Sequence, residues 1–562
     1  MKKISIYLFA LVTVMVVSCS KNELNQKDPN SPSPSGSLAS EGGMKAYGAG
    51  IFARTLFDVP NAGVSNIFHI ALTNHSLMGD EMFLPYGNFG FRWVNQVYNI
   101  TLPNGKVSTN PFGVTQQVSL QGFNSIGAGD RNAFMYEWTI CYFFIQQANQ
   151  MLASLNKGIN YDGGDVVTKK ATFEAWAYWW KAYAYSRLGS LYLSGIITDD
   201  PLGRTNANFV NHDAIIVEAN KQFDNCVAAL NKINPASIGT GKDYDVLMES
   251  LVLSFNDNKK VVTPEMWKRQ INTYKARNLL ANKKVTSMTP TDWSTIVTLC
   301  NDGIKATDNI FNFGMTADGN NDLSNSWMHP FAFTGPNTQW TFVSERLVQE
   351  FKTGDDRFAR GILQLPAPPN VDPTYDLSAF ANIRSRGYQF GTRWAAKPIE
   401  DGGLYATGSA NKGLSPIACT YEENALMLAE ALIYTNQLEA GLSYIDAVRT
   451  FQGASLPATV GKGLSLADAK EELRRERRVG LFLKGVAFYD ARRWGVISPV
   501  SSGGGRQGGI VYVPKDALGD GTPAQAVPCL MNYSYMDYWD VPQNELDLNA
   551  PASGSAAVAN PK

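Results

Sequence analysis

The run ERRVGLFLKGVAFYDARRWG, residues 476–495, carries the strongest structural information in this chain. Arginines stand near both of its ends, and apolar residues and glycines fill the middle. Residues 470–478, which overlap its start, hold five basic and three acidic side chains, and Glu471 precedes Arg475 by the four-residue spacing of a helical ion pair. The pattern predicts a helix with a solvated or ion-paired face that acts as a structural brace, rather than a basic patch for nucleic acid.

Amphipathic helical patterns extend outward from this run. Apolar residues recur at three- and four-residue steps, the spacing of one helix face. The stretches with this pattern are 134–156, 171–193, 214–232, 264–282, 291–305, 421–435, 437–450 and 467–484. Short polar separations between consecutive stretches are typical of antiparallel helix hairpins. The sequence therefore predicts a mainly α protein of tetratricopeptide-like helix-hairpin repeats with long irregular loop insertions. The rings between Trp176 and Tyr185 are predicted to pack in its core.

Residues 476–495 resemble the ERRxELxFEGxRxxDLxRWG signature of the SusD/RagB family. Four further blocks are similar to segments of that family in the same order. They are residues 138–149, 171–202, 421–431 and 542–549. The chain departs from the family pattern at Gly480 and Lys484, where glutamate is usual, and at Ala487, where arginine is frequent. These departures concern local ion pairs rather than the fold.

The resemblance implies a helical outer-membrane lipoprotein that faces the cell exterior and binds glycans or other nutrients. It also implies a partner, a SusC-like TonB-dependent transporter that receives the captured oligosaccharide. A helical-repeat scaffold lipoprotein that binds only protein partners is the alternative that remains open. Glycoside hydrolysis would need two carboxylates converging across a cleft, and no sequence motif places such a pair or a nucleophile. The sequence therefore predicts a binding protein and no enzyme.

The first 18 residues have the features of a lipoprotein signal peptide. Lys2 and Lys3 precede an uncharged apolar run over residues 4–17. That run is too short to span a bilayer, which takes about 20 residues, and it has the length of a signal-peptide core. It ends in the letters VVSC, which resemble a bacterial lipobox. We therefore expect Cys19 to be the lipidated first residue of the mature chain.

The mature chain is expected to have two parts. Residues 19–40 are rich in serine, proline and asparagine, which predicts a flexible tether between the lipid and the domain. Residues 41–562 form the predicted helical-repeat domain. Because no later segment is long and apolar enough to span a membrane, the predicted attachment is the lipid anchor alone.

Composition excludes several other functions. With 49 basic and 50 acidic residues, the chain lacks the positive excess of a nucleic-acid-binding protein. Only four histidines occur, and the five cysteines after Cys19 are widely spaced without a CxxC motif. This spacing favours small buried thiols over a disulfide framework or a zinc site. The sequence predicts no metal and no cofactor.

The irregular stretches at about 80–130 and 307–418 are predicted to bind ligand, because long loops in compact proteins are usually functional. Aromatic rings can stack on the apolar face of a sugar, and polar side chains can reach its hydroxyl groups. The candidate residues are Asp80, Tyr86, Asn88, Phe91, Arg92, Trp93, Trp327, Trp340 and Trp394. Trp93 is the leading candidate, because it lies in a predicted loop that is rich in glycine and asparagine and shows no helical periodicity. The alternative is that these rings only anchor the loops to the helical body.

Overall fold

The structure is a computed structural model, and the part of the chain that it describes comprises residues 37–53, 67–84, 87–252, 260–316, 342–365, 390–397, 402–404, 406, 412–519 and 521–561. Cys19, the predicted signal peptide and most of the predicted tether lie outside these residues. The described chain is mainly α-helical, which confirms the predicted fold class. None of its helices combines the length and the apolar character that a membrane span requires.

Helices account for most of the described secondary structure. In chain order they are α1 Glu41–Ala53, α2 Ile67–Met78, α3 Phe91–Val94, α4 Gln116–Phe123, α5 Phe134–Lys157, α6 Val166–Leu191, α7 His212–Leu230, α8 Asp243–Leu251, α9 Pro264–Ala281, α10 Pro290–Asn301, α11 Glu345–Val348, α12 Asp356–Gly361, α13 Tyr421–Tyr434, α14 Leu438–Phe451, α15 Leu466–Gly480, α16 Ala487–Arg493 and α17 Gln543–Leu546. Short 3-10 turns at Asn88–Gly90, Ile126–Arg131, Pro235–Ser237, Val285–Ser287 and Val500–Ser502 lie between them.

The strands form small antiparallel sheets that the sequence patterns did not predict. They are β1 Asn99–Thr101, β2 Val107–Thr109, β3 Ser194–Ile196, β4 Phe209–Asn211, β5 Asn312–Thr316, β6 Phe342–Val343, β7 Ile362–Gln364, β8 Trp394–Ala396, β9 Lys412–Pro416, β10 Arg506–Val513 and β11 Gln525–Asn532. One sheet has the order β10-β11-β1-β2 and another β6-β8-β7, while β3 pairs with β4 and β5 with β9. In the first sheet Ile100 lies opposite Met531, so the chain's C-terminal hairpin holds the loop after α3.

The predicted helix hairpins are present, and local signals set most of their bounds. A three-residue turn joins α13 to α14, and Asn436 adopts a left-handed conformation there. Helix α6 begins earlier than the predicted residue 171, because Asp165 caps it by accepting the Thr168 N–H at 3.0 Å. Helix α15 ends before the predicted residue 484, since the positive φ angles of Leu483 and Gly485 cannot continue a helix.

The aromatic residues of α6 lie in the core, as predicted. Trp176, Trp179 and Trp180 are at most 1% exposed. The rings of Trp176 and Trp180 meet edge to face with centroids 5.6 Å apart, and Trp267 of α9 contacts Trp176 in the same way at 6.2 Å. These contacts join the first helices to those of the middle of the chain through burial of large apolar rings.

A buried ionic cluster built by the 476–495 run connects α13, α15 and α16. Glu430 accepts from Arg493, with 2.6 Å between Oε2 and Nη2, and is fully buried. Asp490 accepts from Nε of Arg477 and Nε of Arg493, both at 2.8 Å. Burial alone would raise the pKa of Asp490, but the two guanidinium groups outweigh it and hold this pKa below its usual range. The predicted ion-paired brace is therefore confirmed, and its charges lie inside the protein.

The departures from the family signature have local explanations. Lys484 pairs with Glu422 at 2.5 Å between Nζ and Oε1, so this position keeps an ion pair with reversed polarity. The small side chain of Ala487 permits close approach of Gly79, where an added Cβ would come within 2.4 Å of the Ala487 Cβ. Gly480 offers no side chain for an ion pair, and its carbonyl accepts from the Gln452 amide at 2.8 Å.

Candidate ligand-binding site

The turn at Asp80 is fixed by a buried set of charges. Its carboxylate accepts from Arg346 at 2.7 and 3.0 Å and from the Ser344 hydroxyl at 2.8 Å. Nε of Arg506 lies 3.2 Å from the Asp80 Oδ2. Burial alone would raise the pKa of Asp80, but Arg346 and Arg506 hold it well below its usual range. Because both oxygens are occupied inside the protein, we assign Asp80 a structural role and leave it out of the proposed ligand contacts.

The signature helix α15 also holds this turn. Arg478 is 5% exposed and donates to the carbonyl oxygens of Gly79 at 2.6 Å and Asp80 at 2.9 Å. Burial lowers the pKa of Arg478 to about 10. The run that marks the fold therefore also positions the start of the predicted ligand-binding segment.

Beside this turn, Glu81 is a buried carboxyl that gives a stability prediction. It is 1% exposed, and burial raises its pKa to about 8 although Arg478 acts in the opposite direction. Its ordinary value is 4.5, so between pH 4.5 and 8 the unfolded chain releases a proton that the folded chain keeps. The contribution of Glu81 to stability is therefore present below pH 4.5 and is lost as the pH rises toward 8.

We expect Glu81→Gln to be more stable than the wild type at pH 8, by about 2 kcal/mol, with little difference at pH 4.5. Glutamine keeps an oxygen for the Leu483 N–H, which Glu81 accepts at 3.2 Å, and it does not titrate. Urea unfolding of both proteins at the two pH values measures the effect. An equal stability difference at pH 4.5 and pH 8 would contradict a raised pKa.

Trp93, Phe112, Phe123 and Arg92 form a compact aromatic patch after the turn. The Trp93 ring lies 4.2 Å from Phe123 and 6.2 Å from Phe112, measured between centroids. The Arg92 guanidinium lies 5.5 Å from the Trp93 centroid and 5.9 Å from that of Phe112, within range of a cation–π interaction. Arg131 is placed similarly over Phe123 at 5.1 Å. Trp93 therefore contacts both other rings of the patch in tilted geometry.

Trp93 and Phe112 of the aromatic patch differ in exposure. Trp93 is 8% exposed and belongs to the main apolar core, whereas Phe112 is 41% exposed. The prediction that Trp93 lies in an irregular loop is wrong, because the residue belongs to α3. Its ring contacts both Phe112 and Phe123, and Phe112 is the most exposed ring of the patch.

Asn88 and Phe91 lie on the turn that leads into α3. Asn88 is exposed, four residues before Arg92, and its amide can reach solvent. Phe91 is fully buried and packs against Phe89, with centroids 5.5 Å apart. We therefore keep Asn88 among the proposed ligand contacts and assign Phe91 to the core.

Trp394 lies in β8, one strand away from the Asp80 segment. Val343 of β6 is paired with Met82 on one side and with Trp394 on the other. The Trp394 ring is partly buried and its Nε1 donates to Glu345 at 3.0 Å. Two strand spacings of about 4.8 Å separate Met82 and Trp394, so the structure brings both predicted regions into one neighbourhood. Tyr86, Trp327 and Trp340 lie outside the described residues.

Comparison with known proteins decides the fold family. Residues 421–554, which contain α13 to α17, match the SusD family model. The resemblance to the SusD/RagB family is confirmed. A search of curated proteins found no significant match.

Several solved structures align with nearly the whole chain. A SusD-like carbohydrate binding protein from Bacteroides fragilis aligns with a TM-score of 0.57 and 15% identity over 91% of this chain and 99% of its own. Surface glycan-binding protein A from Bacteroides uniformis aligns with a TM-score of 0.53 and 14% identity over 92% and 99%. A protein crystallised with a xylogluco-oligosaccharide aligns with a TM-score of 0.51 and 14% identity over 92% and 99%. At these identities the alignments establish a shared fold.

Sequence reasoning missed Phe112, Phe123 and Arg131 of this SusD-like chain. A usable signal was present for Phe112, because it follows an Asn-Pro pair, which marks a surface turn. In the structure the Asn110 side chain accepts the Phe112 N–H at 3.0 Å and fixes that turn. No comparable signal existed for Phe123, since its contact with Trp93 depends on how α4 packs.

The described residues give no sign of a metal centre or reactive thiol. No group of three or more metal-binding side chains comes together in the described part of the chain. The five cysteines after Cys19 are free and buried, as predicted. Burial raises the pKa of the Cys226 thiol well above its usual range, which makes it a poor nucleophile.

Proposed function

We propose that this SusD-like protein is a lipid-anchored binding protein of the cell surface that captures neutral oligosaccharide. In this proposal it delivers the sugar to a SusC-like TonB-dependent transporter in the outer membrane. The observation that carries the binding proposal is the aromatic patch, where Phe112 exposes an apolar ring next to Arg92. Xyloglucan-type sugars enter as one candidate class, because a protein of the same fold was crystallised with a xylogluco-oligosaccharide.

The chemistry of the patch suits a sugar ring. A pyranose has an apolar face of C–H groups, which an exposed phenyl ring can cover, and hydroxyl groups at its edge. Arg92 supplies donors at that edge, and the Asn88 amide supplies both a donor and an acceptor. A sugar hydroxyl exchanges water for protein with a gain of only about 1 kcal/mol, so the ring contact is expected to dominate affinity.

The proposal also includes a lipid anchor to the membrane and a transporter that receives the sugar. A lipid on Cys19 would hold the domain at the membrane, and residues 19–40 would let it move relative to the bilayer. The transporter is proposed from the family resemblance and from the SusD family match at residues 421–554. On the same family resemblance, we propose that the protein binds oligosaccharide without hydrolysing it.

We expect Phe112→Ala to weaken oligosaccharide binding about tenfold, because the exposed ring face is lost while the buried Trp93–Phe123 support remains. Isothermal titration calorimetry against malto-, cello-, xylo- and xylogluco-oligosaccharides measures the effect. Val217→Ala is the control, since Val217 is 68% exposed on α7 and lies outside the aromatic patch.

Two results would contradict the proposal in different ways. Equal affinity of Phe112→Ala and the wild type for a sugar that binds would remove the aromatic patch from the site. Failure of every sugar in the panel to bind the wild-type protein would argue against carbohydrate capture itself, and would favour the scaffold alternative.

A further inference from the structure

We infer that a cavity along α5, outside the aromatic patch, is a second binding site for a neutral oligosaccharide. This inference rests on the proposed carbohydrate function and adds a separate subsite to it. The cavity has a volume of about 660 Å³, within the usual range of about 300–1,000 Å³ for ligand pockets. We call it the α5 cavity.

One face of α5 forms its main wall. The residues of this face follow helical spacing and are Trp138, Thr139, Tyr142, Phe143, Gln146 and Gln147. The segment after β3, from Thr198 to Thr205, forms the opposite wall, and Glu545 of α17 closes one end. Trp138 and Phe143 are buried, with 5% and 9% exposure, and form the base of the cleft. The partly exposed groups are the Tyr142 ring, the Thr139 hydroxyl and the amides of Gln146 and Gln147, a combination that can recognise a sugar.

The rings of the α5 cavity are held in place before any ligand binds. Trp138 and Tyr142 lie with centroids 4.7 Å apart. The Tyr142 hydroxyl accepts the Ile196 N–H at 2.6 Å and donates to the Ile196 carbonyl at 3.1 Å. Nε1 of Trp138 donates to Glu545 at 3.4 Å. Fixed rings lose little conformational entropy on binding, which favours affinity.

The opposite wall is equally fixed. The Asn149 amide donates to the Thr198 carbonyl at 3.0 Å, and the Thr198 N–H donates to the Tyr185 hydroxyl at the same distance. Asp200 then accepts from Nε of Arg204 at 2.9 Å. The cleft is therefore preformed by contacts that do not involve its free polar groups.

Three polar side chains of the cavity are free for a ligand. Thr139, Gln146 and Gln147 are partly buried and form no hydrogen bond with other residues in the part of the chain that the structure describes. The two amides each offer donors and acceptors, and the hydroxyl offers both. Such groups match the alternating donor and acceptor character of sugar hydroxyls.

The charges of the cavity favour a neutral ligand over an anionic one. Asp200 is neutralised by Arg204, and Glu545 accepts from Asn549 at 2.9 Å and from Trp138. The remaining balance is one negative charge, which would repel phosphate or carboxylate groups. A neutral oligosaccharide is the ligand class that uses both the partly exposed Tyr142 ring and the free amides.

The experiment measures binding at the α5 cavity in a protein whose aromatic patch is weakened. Calorimetry with malto-, cello-, xylo- and xylogluco-oligosaccharides is performed on Phe112→Ala, and on the same protein with Thr139→Val and Gln147→Ala added. We expect the added pair to weaken the remaining binding about tenfold, because two hydrogen-bonding groups are lost without disturbing a contact of the fold. Gln150→Ala is the matched control, since Gln150 is a partly buried residue of α5 outside the cavity.

The possible outcomes distinguish binding at the α5 cavity from binding at the aromatic patch. Residual binding that the pair weakens and Gln150→Ala does not supports the α5 cavity. Loss of all binding in Phe112→Ala overturns the second site and leaves the proposed function intact. Residual binding that the pair does not change also overturns the second site. Absence of binding to wild-type protein overturns both the second site and carbohydrate capture.

Discussion

Replacing Glu430 with alanine is expected to lower the free energy of unfolding by about 3–5 kcal/mol. Glu430 is fully buried, and Arg493, its partner, is 2% exposed. Removal of the carboxylate leaves the Arg493 guanidinium in the interior with one partner fewer, since among the described residues only Asp490, which it shares with Arg477, still pairs with it. The loss of stability comes from the guanidinium charge that stays buried after its carboxylate partner is removed. The intact buried ion pair itself adds little net stability.

Urea unfolding followed by circular dichroism measures this effect. Glu265→Ala is the matched control, because Glu265 is 71% exposed and pairs with Lys268 on the surface of α9. We expect that variant to differ from the wild type by no more than about 0.5 kcal/mol. A Glu430→Ala protein with the stability of the control would show that the cluster does not hold α13, α15 and α16 together.

Replacing Asp80 with asparagine is expected to have a similar effect, about 3–5 kcal/mol at pH 7. The change preserves the shape of the side chain, and asparagine tolerates the left-handed backbone at this position, where φ is 57°. The variant therefore isolates the negative charge. Without it, Arg346 and Arg506 lose the carboxylate between them.

The pH dependence distinguishes this cause from a packing defect. The pKa of Asp80 in the folded chain lies below its ordinary value of 3.8, so its contribution to stability is present above that pH and is lost as the pH falls further. The difference between the wild type and Asp80→Asn should therefore shrink below about pH 4. Asp213→Asn, at a residue that is 76% exposed, is the control. A difference that stays constant down to pH 2 would contradict the charge-based explanation.

These two expectations connect stability with the candidate site. Arg478 of α15 holds the carbonyl groups of the Asp80 turn, and Arg477 of the same helix belongs to the Glu430 cluster. A change in either cluster therefore acts on the segment that carries the aromatic patch. We expect variants in these clusters to alter sugar binding only through the position of this segment.

The sequence by itself determined the helical class and the ionic brace. Helix periodicity and caps depend on residues within a few positions of each other, so α5, α9, α13 and α14 follow from the chain locally. The run at 476–495 likewise carries enough charged residues at fixed spacing to mark the SusD/RagB resemblance. The burial of the cysteines could also be predicted, because their wide spacing offers no nearby cysteine for a disulfide or a zinc site and so favours small buried thiols.

Only the tertiary structure decided which candidate residues reach a ligand. Asp80 resembled a sugar-binding carboxylate, but its partners Arg346 and Arg506 come from distant parts of the chain. Trp93 is covered by Phe123 of α4, so the exposed ring of the aromatic patch is Phe112. In the same way, the α5 cavity needs walls from α5, the segment after β3, and α17. Exposure and charge pairing arise from contacts between remote segments, and the local order of residues does not encode them.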